Sequence, residues 1–245
     1  MTADPPPLPW LPPAPVRFPD PRRAWVEPDG LLAAGGDLTP EWLITAYAHG
    51  IFPWFDDDEG PILWWSPDPR AVLEPQGLKV SKSLGKRLRN GGFRVTADQT
   101  FDAVIDACAA PRDGAAGTWI TPRMRAAYRS LHRLGFAHSI EVWQERELAG
   151  GLYGVAVGRL FCGESMFSRA RDASKVAFCV LARQLERWQF GLIDCQLPTA
   201  HLASLGAQPV PRARFLERIA ELVDDGPDPG PWLLDPDLAS PDGVS

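Results

Sequence analysis

Apolar positions recur with two different periods along this chain, and the switches between them mark its elements. Trp42, Leu43, Ala46 and Tyr47 repeat at the three-and-four spacing of a buried helical face. Thr39-Pro40-Glu41 precedes them with a capping hydroxyl, a first-turn proline and an acid, and Gly50 closes the helix. The same Thr-Pro signal at Thr121-Pro122 opens a helix with Met124, Tyr128 and Leu131 inward, ending at Gly135. Phe101, Val104, Ile105 and Cys108 form another stripe, and Ser174 is placed to cap a long helix reaching about Trp188. A last helix carries Phe215, Leu216, Ile219 and Leu222. Three strand-like runs cover 139–144, 148–157 and 160–167, joined by Glu145-Arg-Glu147 and Gly158-Arg159. Connections that short predict an antiparallel meander. One more strand, 191–196, follows the long helix directly.

These elements predict an α+β chain: a small N-terminal domain followed by a mixed α/β domain around a central sheet. Residues 1–24 are rich in proline, which fixes the backbone and removes donors, and read as extended or disordered. Residues 25–67 form the small unit, 68–225 the larger one, and 226–245 a tail of similar character in which Trp232-Leu-Leu234 is the segment suited to docking. The small unit carries Ile51-Phe-Pro-Trp-Phe55 and Ile62-Leu-Trp-Trp65. So much aromatic surface exceeds what the unit can bury alone, so it packs on a neighbour or faces a ligand.

Composition narrows the function classes. The chain has 245 residues, 45% hydrophobic and 23% charged, an ordinary globular balance. No segment reads as a signal peptide or a bilayer span, so the expected location is the cytoplasm, without membrane contact. Cys108, Cys162, Cys179 and Cys195 form no Cys-x-x-Cys pair and have no histidine at zinc-ligand spacing, which argues against a metal site. The net charge of −6 excludes a protein that coats nucleic acid broadly. One local exception stands out: from Pro75 to Ala97 there is no acid, yet Lys79, Lys82, Lys86, Arg87, Arg89 and Arg94 all occur. A solvated helix face and an anion-facing surface explain that run about equally well.

Polar interruptions of apolar strands are the candidate chemistry. Strand alternation puts Asp194 and Gln196 on one face with Cys195 opposite. A carboxylate there is costly unless paired or hydrogen-bonded, so a structural Asp accepting backbone N–H bonds competes with a catalytic one. Glu164 and Met166 share a face by the same rule, and Phe161 has the opposite parity. For Phe161 and Met166 to line one pocket, a bulge near Gly163 must reset the register.

Eight blocks then fall in a recognisable order: Gly-Gly-Asp-Leu at 35–38, Gly-Ile-Phe-Pro-Trp-Phe at 50–55, Trp-Trp-Ser-Pro-Asp-Pro-Arg at 64–70, Gly-Thr-Trp-Ile-Thr at 117–121, His-Ser-Ile-Glu-Val-Trp at 138–143, Gly-Glu-Ser-Met-Phe-Ser at 163–168, Ile-Asp-Cys-Gln at 193–196 and Ala-Ser-Leu-Gly-Ala at 203–207. Together they closely resemble the bacterial leucyl/phenylalanyl-tRNA–protein transferases, over about Phe18 to Leu222. The resemblance implies a catalytic domain of the acetyltransferase (GNAT-like) type. It implies transfer of Leu or Phe, and sometimes Met, from Leu-tRNA or Phe-tRNA to proteins with N-terminal Arg or Lys, creating a degradation signal. It implies no cofactor, and a monomer is expected.

Residue by residue, the resemblance gives Asp194 and Gln196 the catalytic roles, Asp194 acting through Gln196 on the proton of the attacking amine either as base or as orienting group. It gives Glu164 the acceptor. Phe161, Met166, Phe178 and Ile193 would line the donor pocket, Phe178 and Ile193 being equally readable as core. Trp54 and Trp119 would stack on the terminal adenosine, which puts the site where the two units meet. Lys79, Lys82, Lys86, Arg87 and Arg89 would meet the acceptor stem. Thr199 stands where some members have Asn, which takes a carboxamide away from that position.

Three rivals differ in their needs. An acetyl-CoA N-acetyltransferase needs a glycine-rich loop before the long helix, and Phe167-Ser-Arg-Ala-Arg-Asp172 has no glycine. A peptidoglycan-branching transferase usually carries a duplicated domain, and no repeat is visible here. A non-catalytic tRNA-binding module explains Trp54, Trp119 and the basic run, but not Glu164, Asp194 and Gln196 together.

Overall fold

The computed structural model describes residues 7–111 and 119–239; Met1–Pro6, Gly117 and Thr118 of the Gly-Thr-Trp-Ile-Thr block, and 240–245 of the expected tail lie outside the described residues. The N-terminal part builds a four-stranded sheet from β1 (Trp10–Leu11), β2 (Leu31–Gly35), β3 (Phe52–Pro53) and β4 (Leu63–Trp65), in the order β1-β2-β4-β3, with α1 (Pro40–Ala48) between β2 and β3. Phe18 meets the rings of both Trp42 and Trp64 edge-on at 5.0 and 4.8 Å, and the Trp42 indole donates to Pro13 O. The reading of residues 1–24 as disordered is therefore corrected for residues 7–24. The physical reason is twofold: proline leaves little backbone entropy to lose, and the tryptophans offer an apolar surface that this segment covers.

The larger sheet has seven strands: β5 (Arg70–Leu73), β6 (Phe93–Ala97), β7 (Ala137–Gln144), β8 (Glu147–Val157), β9 (Leu160–Ser168), β10 (Leu192–Gln196) and β11 (Gln208–Val210). Their order is β11-β5-β10-β9-β8-β7-β6. The β7–β8–β9 meander is antiparallel as its short connections predict. The helices are α2 (Lys82–Asn90), α3 (Phe101–Ala109), α4 (Pro122–Arg133), α5 (Ala173–Arg187), α6 (Ala200–Ser204), α7 (Arg212–Ala220) and α8 (Pro236–Ala239). Thr121 caps α4 by accepting from Met124 N. Ser174 does not cap α5: the helix starts at Ala173 behind Asp172 (φ +63°), and Ser168 Oγ on β9 accepts the Ser174 N–H instead.

Two apolar clusters cover the faces of this sheet. One joins Trp42, Tyr47 and Trp64 of the N-terminal part to α3, α4 and the meander, so the two units share a core and the aromatic excess is absorbed there. The other holds Leu84, Leu88, most of α5, Phe161, Ile193, and Leu234 and Leu238 of the tail. No helix among the described residues is long and apolar enough to cross a membrane. The feature that positions the site is the β9–β10 pair, the one parallel pair of this sheet among the described residues. It pairs Leu160, Phe161 and Cys162 with Leu192, Ile193 and Asp194. Beyond Asp194 the pairing ceases, and a cavity opens between the strands.

Candidate active site

Both strands break register where they separate. On β9, Gly163 pairs with Gly154 and Ser165 with Tyr153, which leaves Glu164 as the extra residue of a bulge. The bulge expected near Gly163 is present, and Phe161 and Met166 line the same cavity. On β10, Asp194 pairs with Val72 and Gln196 with Ala71, so Cys195 is skipped, and Gln196 takes a left-handed backbone (φ +61°). Plain alternation therefore fails at both places. Asp194 turns to Arg70 while the Gln196 side chain turns to Glu164, and Cys195 lines the cavity beside Gln196 instead of facing away. Glu164 likewise reaches Tyr128 of the first cluster, whereas Met166 packs against the second.

The cavity has a volume of about 960 Å³. Phe161, Met166, Phe178, Ile193 and Trp119 contribute apolar wall, and Glu164, Gln196 and Thr199 polar wall. Glu164 Oε1 accepts from Gln196 Nε2 at 2.7 Å, and Oε2 accepts from Tyr128 Oη at 2.6 Å. Tyr128 Oη meets Tyr47 Oη at 2.6 Å, so α1 of the N-terminal part reaches the carboxylate through one intermediary. Burial is the largest influence on Glu164 and pushes its pKa up to about 7. The tyrosines and Gln196 oppose that shift, and the negative Asp194 adds to it. Burial chiefly, with Glu164 next, raises both Tyr47 and Tyr128 well above the ordinary phenol value, so their hydroxyls stay protonated.

Asp194 lies behind this wall. It is 1% exposed and pairs bidentately with Arg70, Nε to Oδ1 at 2.8 Å and Nη2 to Oδ2 at 2.6 Å. Oδ1 also accepts the Gln196 backbone N–H at 2.9 Å. The Arg70 guanidinium lies against the rings of Phe52 and Phe215, 4.7 and 4.8 Å from their centroids. Burial works against the Arg70 charge and Asp194 more than offsets it. The pair thus fixes the strand end that carries Gln196.

These blocks also decide the family. The profile described as leucyl/phenylalanyl-tRNA protein transferase matches residues 72–220, and that of its N-terminal domain matches 36–68. The leucyl/phenylalanyl-tRNA–protein transferase of Thiobacillus denitrificans is 62% identical over 218 residues, covering 89% of this chain and 95% of the relative. That of Pseudomonas entomophila is 58% identical over 226 residues, covering 92% and 99%. The chain belongs to the leucyl/phenylalanyl-tRNA–protein transferase family. It is thus an aminoacyltransferase acting between tRNA and protein. A solved GCN5-related N-acetyltransferase from Kribbella flavida is a distant neighbour, with a TM-score of 0.36 and 13% identity over 69% of this chain and 60% of that one.

Apart from Asp194, buried behind the wall, the expected residues of this transferase fall into three groups. Glu164, Gln196, Phe161, Met166, Phe178, Ile193 and Trp119 meet at one cavity. Trp54 lies outside its lining, 47% exposed and edge-on to Trp65 at 5.5 Å. Lys79 precedes α2, Lys82, Lys86, Arg87 and Arg89 lie on it, and none of the five forms an ion pair among the described residues. Arg94 lies over the Trp143 ring. Sequence reasoning took Tyr47 and Tyr128 only as helical core, and gave Arg70 no role. The available signals were phenol hydroxyls within apolar stripes and a cation ending the Trp-Trp-Ser-Pro-Asp-Pro-Arg block.

Proposed function

We propose that this chain transfers Leu or Phe, and sometimes Met, from aminoacyl-tRNA to the α-amine of N-terminal Arg or Lys on acceptor proteins, creating a degradation signal in the cytoplasm. The observation that carries the reading is a desolvated carboxylate at the wall of an apolar cavity. Glu164 is held there by Tyr128 and Gln196 with its pKa near the working pH. A cationic N-terminal side chain restores the charge that burial disfavours, and the apolar wall takes a Leu or Phe side chain. A hydrophobic slot separates one methylene by only about 1–3 kcal/mol, in keeping with a pocket that accepts both donors.

The reaction is attack of the amine nitrogen on the ester carbonyl carbon. A C–N bond forms, the bond from carbonyl to ribose oxygen breaks, and the proton lost by the neutral amine balances the one gained by the leaving hydroxyl. The acceptor amine has an unperturbed pKa of about 7.7–8.0, so much of it arrives protonated, and Gln196 and Glu164 are among the polar groups of the cavity wall that can meet that proton. Asp194 has both oxygens occupied by Arg70 and the Gln196 backbone. That geometry favours a positioning role for it over direct proton transfer. Trp119 in the wall and the exposed Trp54 are assigned to the terminal adenosine, each stack being worth about 1–3 kcal/mol, and the α2 face to tRNA phosphates.

Labelled Leu-tRNA incubated with peptides beginning Arg, Lys or Ala tests the proposal. Label on the Arg and Lys peptides alone is expected. Equal label on the Ala peptide, or none on any, refutes it.

A further inference from the structure

Residues 226–239 lie beyond the matched profile, and nothing in the proposed chemistry uses them. They are nevertheless held along a defined track. A Cβ at Gly226 would come within 2.4 Å of the Gly158 carbonyl carbon, and one at Gly135 (φ +79°) within 2.3 Å of Gly230 N. Two backbone approaches that only glycine permits therefore seat the tail. The Trp232 N–H donates to Asp98 Oδ2 at 2.7 Å, the carboxylate that also holds His138 Nδ1 at 2.8 Å and Ser139 N at 2.9 Å. The Trp232 ring stacks on His138 at 3.8 Å, nearly parallel. Farther on, Asp235 N donates to Gln184 Oε1, Arg187 pairs with Asp235 and Asp237 at 2.7 and 2.6 Å, and Leu234 and Leu238 are buried.

The consequence lies in what Trp232 touches. Its ring is 5.7 Å from that of Phe161, tilted at 37°. Phe161 is 1% exposed and lines the cavity. Gly154 also lies against the Phe161 ring, where a Cβ would fall 2.5 Å from Cζ. Gly154 thus makes room for the ring, and Trp232 limits how far the ring retreats from the cavity. We propose that Trp232 is a positioning residue that sets the depth of the donor pocket by bracing Phe161, so that the C-terminal tail takes part in the choice between Leu and Phe. This rests on the reading of the cavity as the donor pocket.

The test measures kcat/KM for Leu-tRNA and for Phe-tRNA, with one Arg-initiated peptide, in the full-length protein and its Trp232→Ala, Trp232→Leu and Trp232→Phe variants, with thermal melts of each. Trp232→Ala lets Phe161 withdraw, so the Phe-to-Leu ratio rises about tenfold, the low end of what a methylene-sized change supports. The peptide KM stays unchanged, and Trp232→Phe returns the ratio toward wild type. A merely structural tail lowers both donors alike: a ratio within about twofold of wild type in folded Trp232→Ala, well short of one methylene's worth, overturns the inference. If Trp232→Ala does not fold, Trp232→Leu is held to the same criterion, and if neither folds the tail is core alone and the assignment falls. A wild-type enzyme that transfers neither amino acid is a different failure, since it sinks the functional reading itself.

Discussion

Glu164→Gln separates the cost of the buried carboxylate from its use. In the unfolded chain Glu164 titrates at its ordinary value of 4.5, and in the fold at about 7. The folded state therefore holds the proton more tightly. Glu164's contribution to stability is fully present below pH 4.5 and is lost as pH rises through about 7. At 1.36 kcal/mol per pH unit, the interval between those two values corresponds to about 3 kcal/mol by pH 8, less whatever the cavity water screens. Glutamine has no charge to desolvate; its one oxygen accepts from Gln196, and its amide nitrogen donates to Tyr128 Oη, which then turns its own proton to Tyr47. The variant's stability relative to wild type should therefore grow between pH 5 and pH 8, by about 1–3 kcal/mol, or about 2–4 °C of Tm per kcal/mol for a chain of this size. Urea unfolding of both proteins across that range measures it, and every other titrating group cancels in the difference. Transfer to Arg and Lys peptides should collapse in the same variant, a stability gain matched by lost function. A stability difference that is flat across the range, or that shrinks as pH rises, would refute the reasoning, because the donors around Glu164 would then outweigh its burial.

Three further outcomes follow from the same geometry. Asp194→Asn leaves Arg70 buried without its counter-charge and should cost about 3–5 kcal/mol by urea unfolding; transfer by the folded variant should fall by less than the roughly 10²–10⁴-fold typical of a lost general base, and a larger fall would make Asp194 the base. Tyr47→Phe removes the hydroxyl that supports Tyr128, costing about 1 kcal/mol, and should move the acid limb of the acceptor kcat/KM profile to higher pH; an unmoved limb counts against the Tyr47–Tyr128–Glu164 chain. Combined Lys82→Ala, Lys86→Ala and Arg89→Ala should leave the melting temperature unchanged and flatten the salt dependence of tRNA use by about 0.7–0.9 in log–log slope for each phosphate no longer neutralised; an unchanged slope assigns the α2 face to solvent.

What the sequence revealed and what it hid follow from the range of the interactions. Periodicity and capping are local, so the meander and the stripes on α1, α3, α4 and α7 were legible from residues a few positions apart. The bulge at Glu164 was legible by contradiction, because Phe161 and Met166 could not otherwise share a wall. β5, β6 and β11 were not, since short edge and joining strands are specified by partners far along the chain: Arg70 meets Val210, and Phe93 meets Gln144. The Arg70–Asp194 pair spans a separation of 124 positions, and Tyr47–Tyr128 one of 81. No local pattern announces such pairings. The helix start at Ala173 was misread for a related reason: its free N–H group is served from β9 by Ser168, not by a residue of its own segment.

The two register breaks share one physical purpose. In an unbroken parallel pair, Glu164 and Gln196 would continue the ladder begun by Cys162 and Asp194, each side chain committed to a face by alternation. The bulge releases Glu164 from β9, and the left-handed turn at Gln196 releases the end of β10. The freed groups meet across the opening at 2.7 Å. Each release carries a cost, an unpaired ladder position on one strand and a non-glycine residue at positive φ on the other, typically about 1–3 kcal/mol for the latter. The Arg70–Asp194 pair answers the second: Asp194 accepts the Gln196 N–H that the broken strand would otherwise leave without a partner. Tyr128 and Tyr47 answer the first by tying Glu164 to both units of the chain. The Tyr47 hydroxyl thereby joins the small N-terminal domain to the carboxylate at the cavity wall.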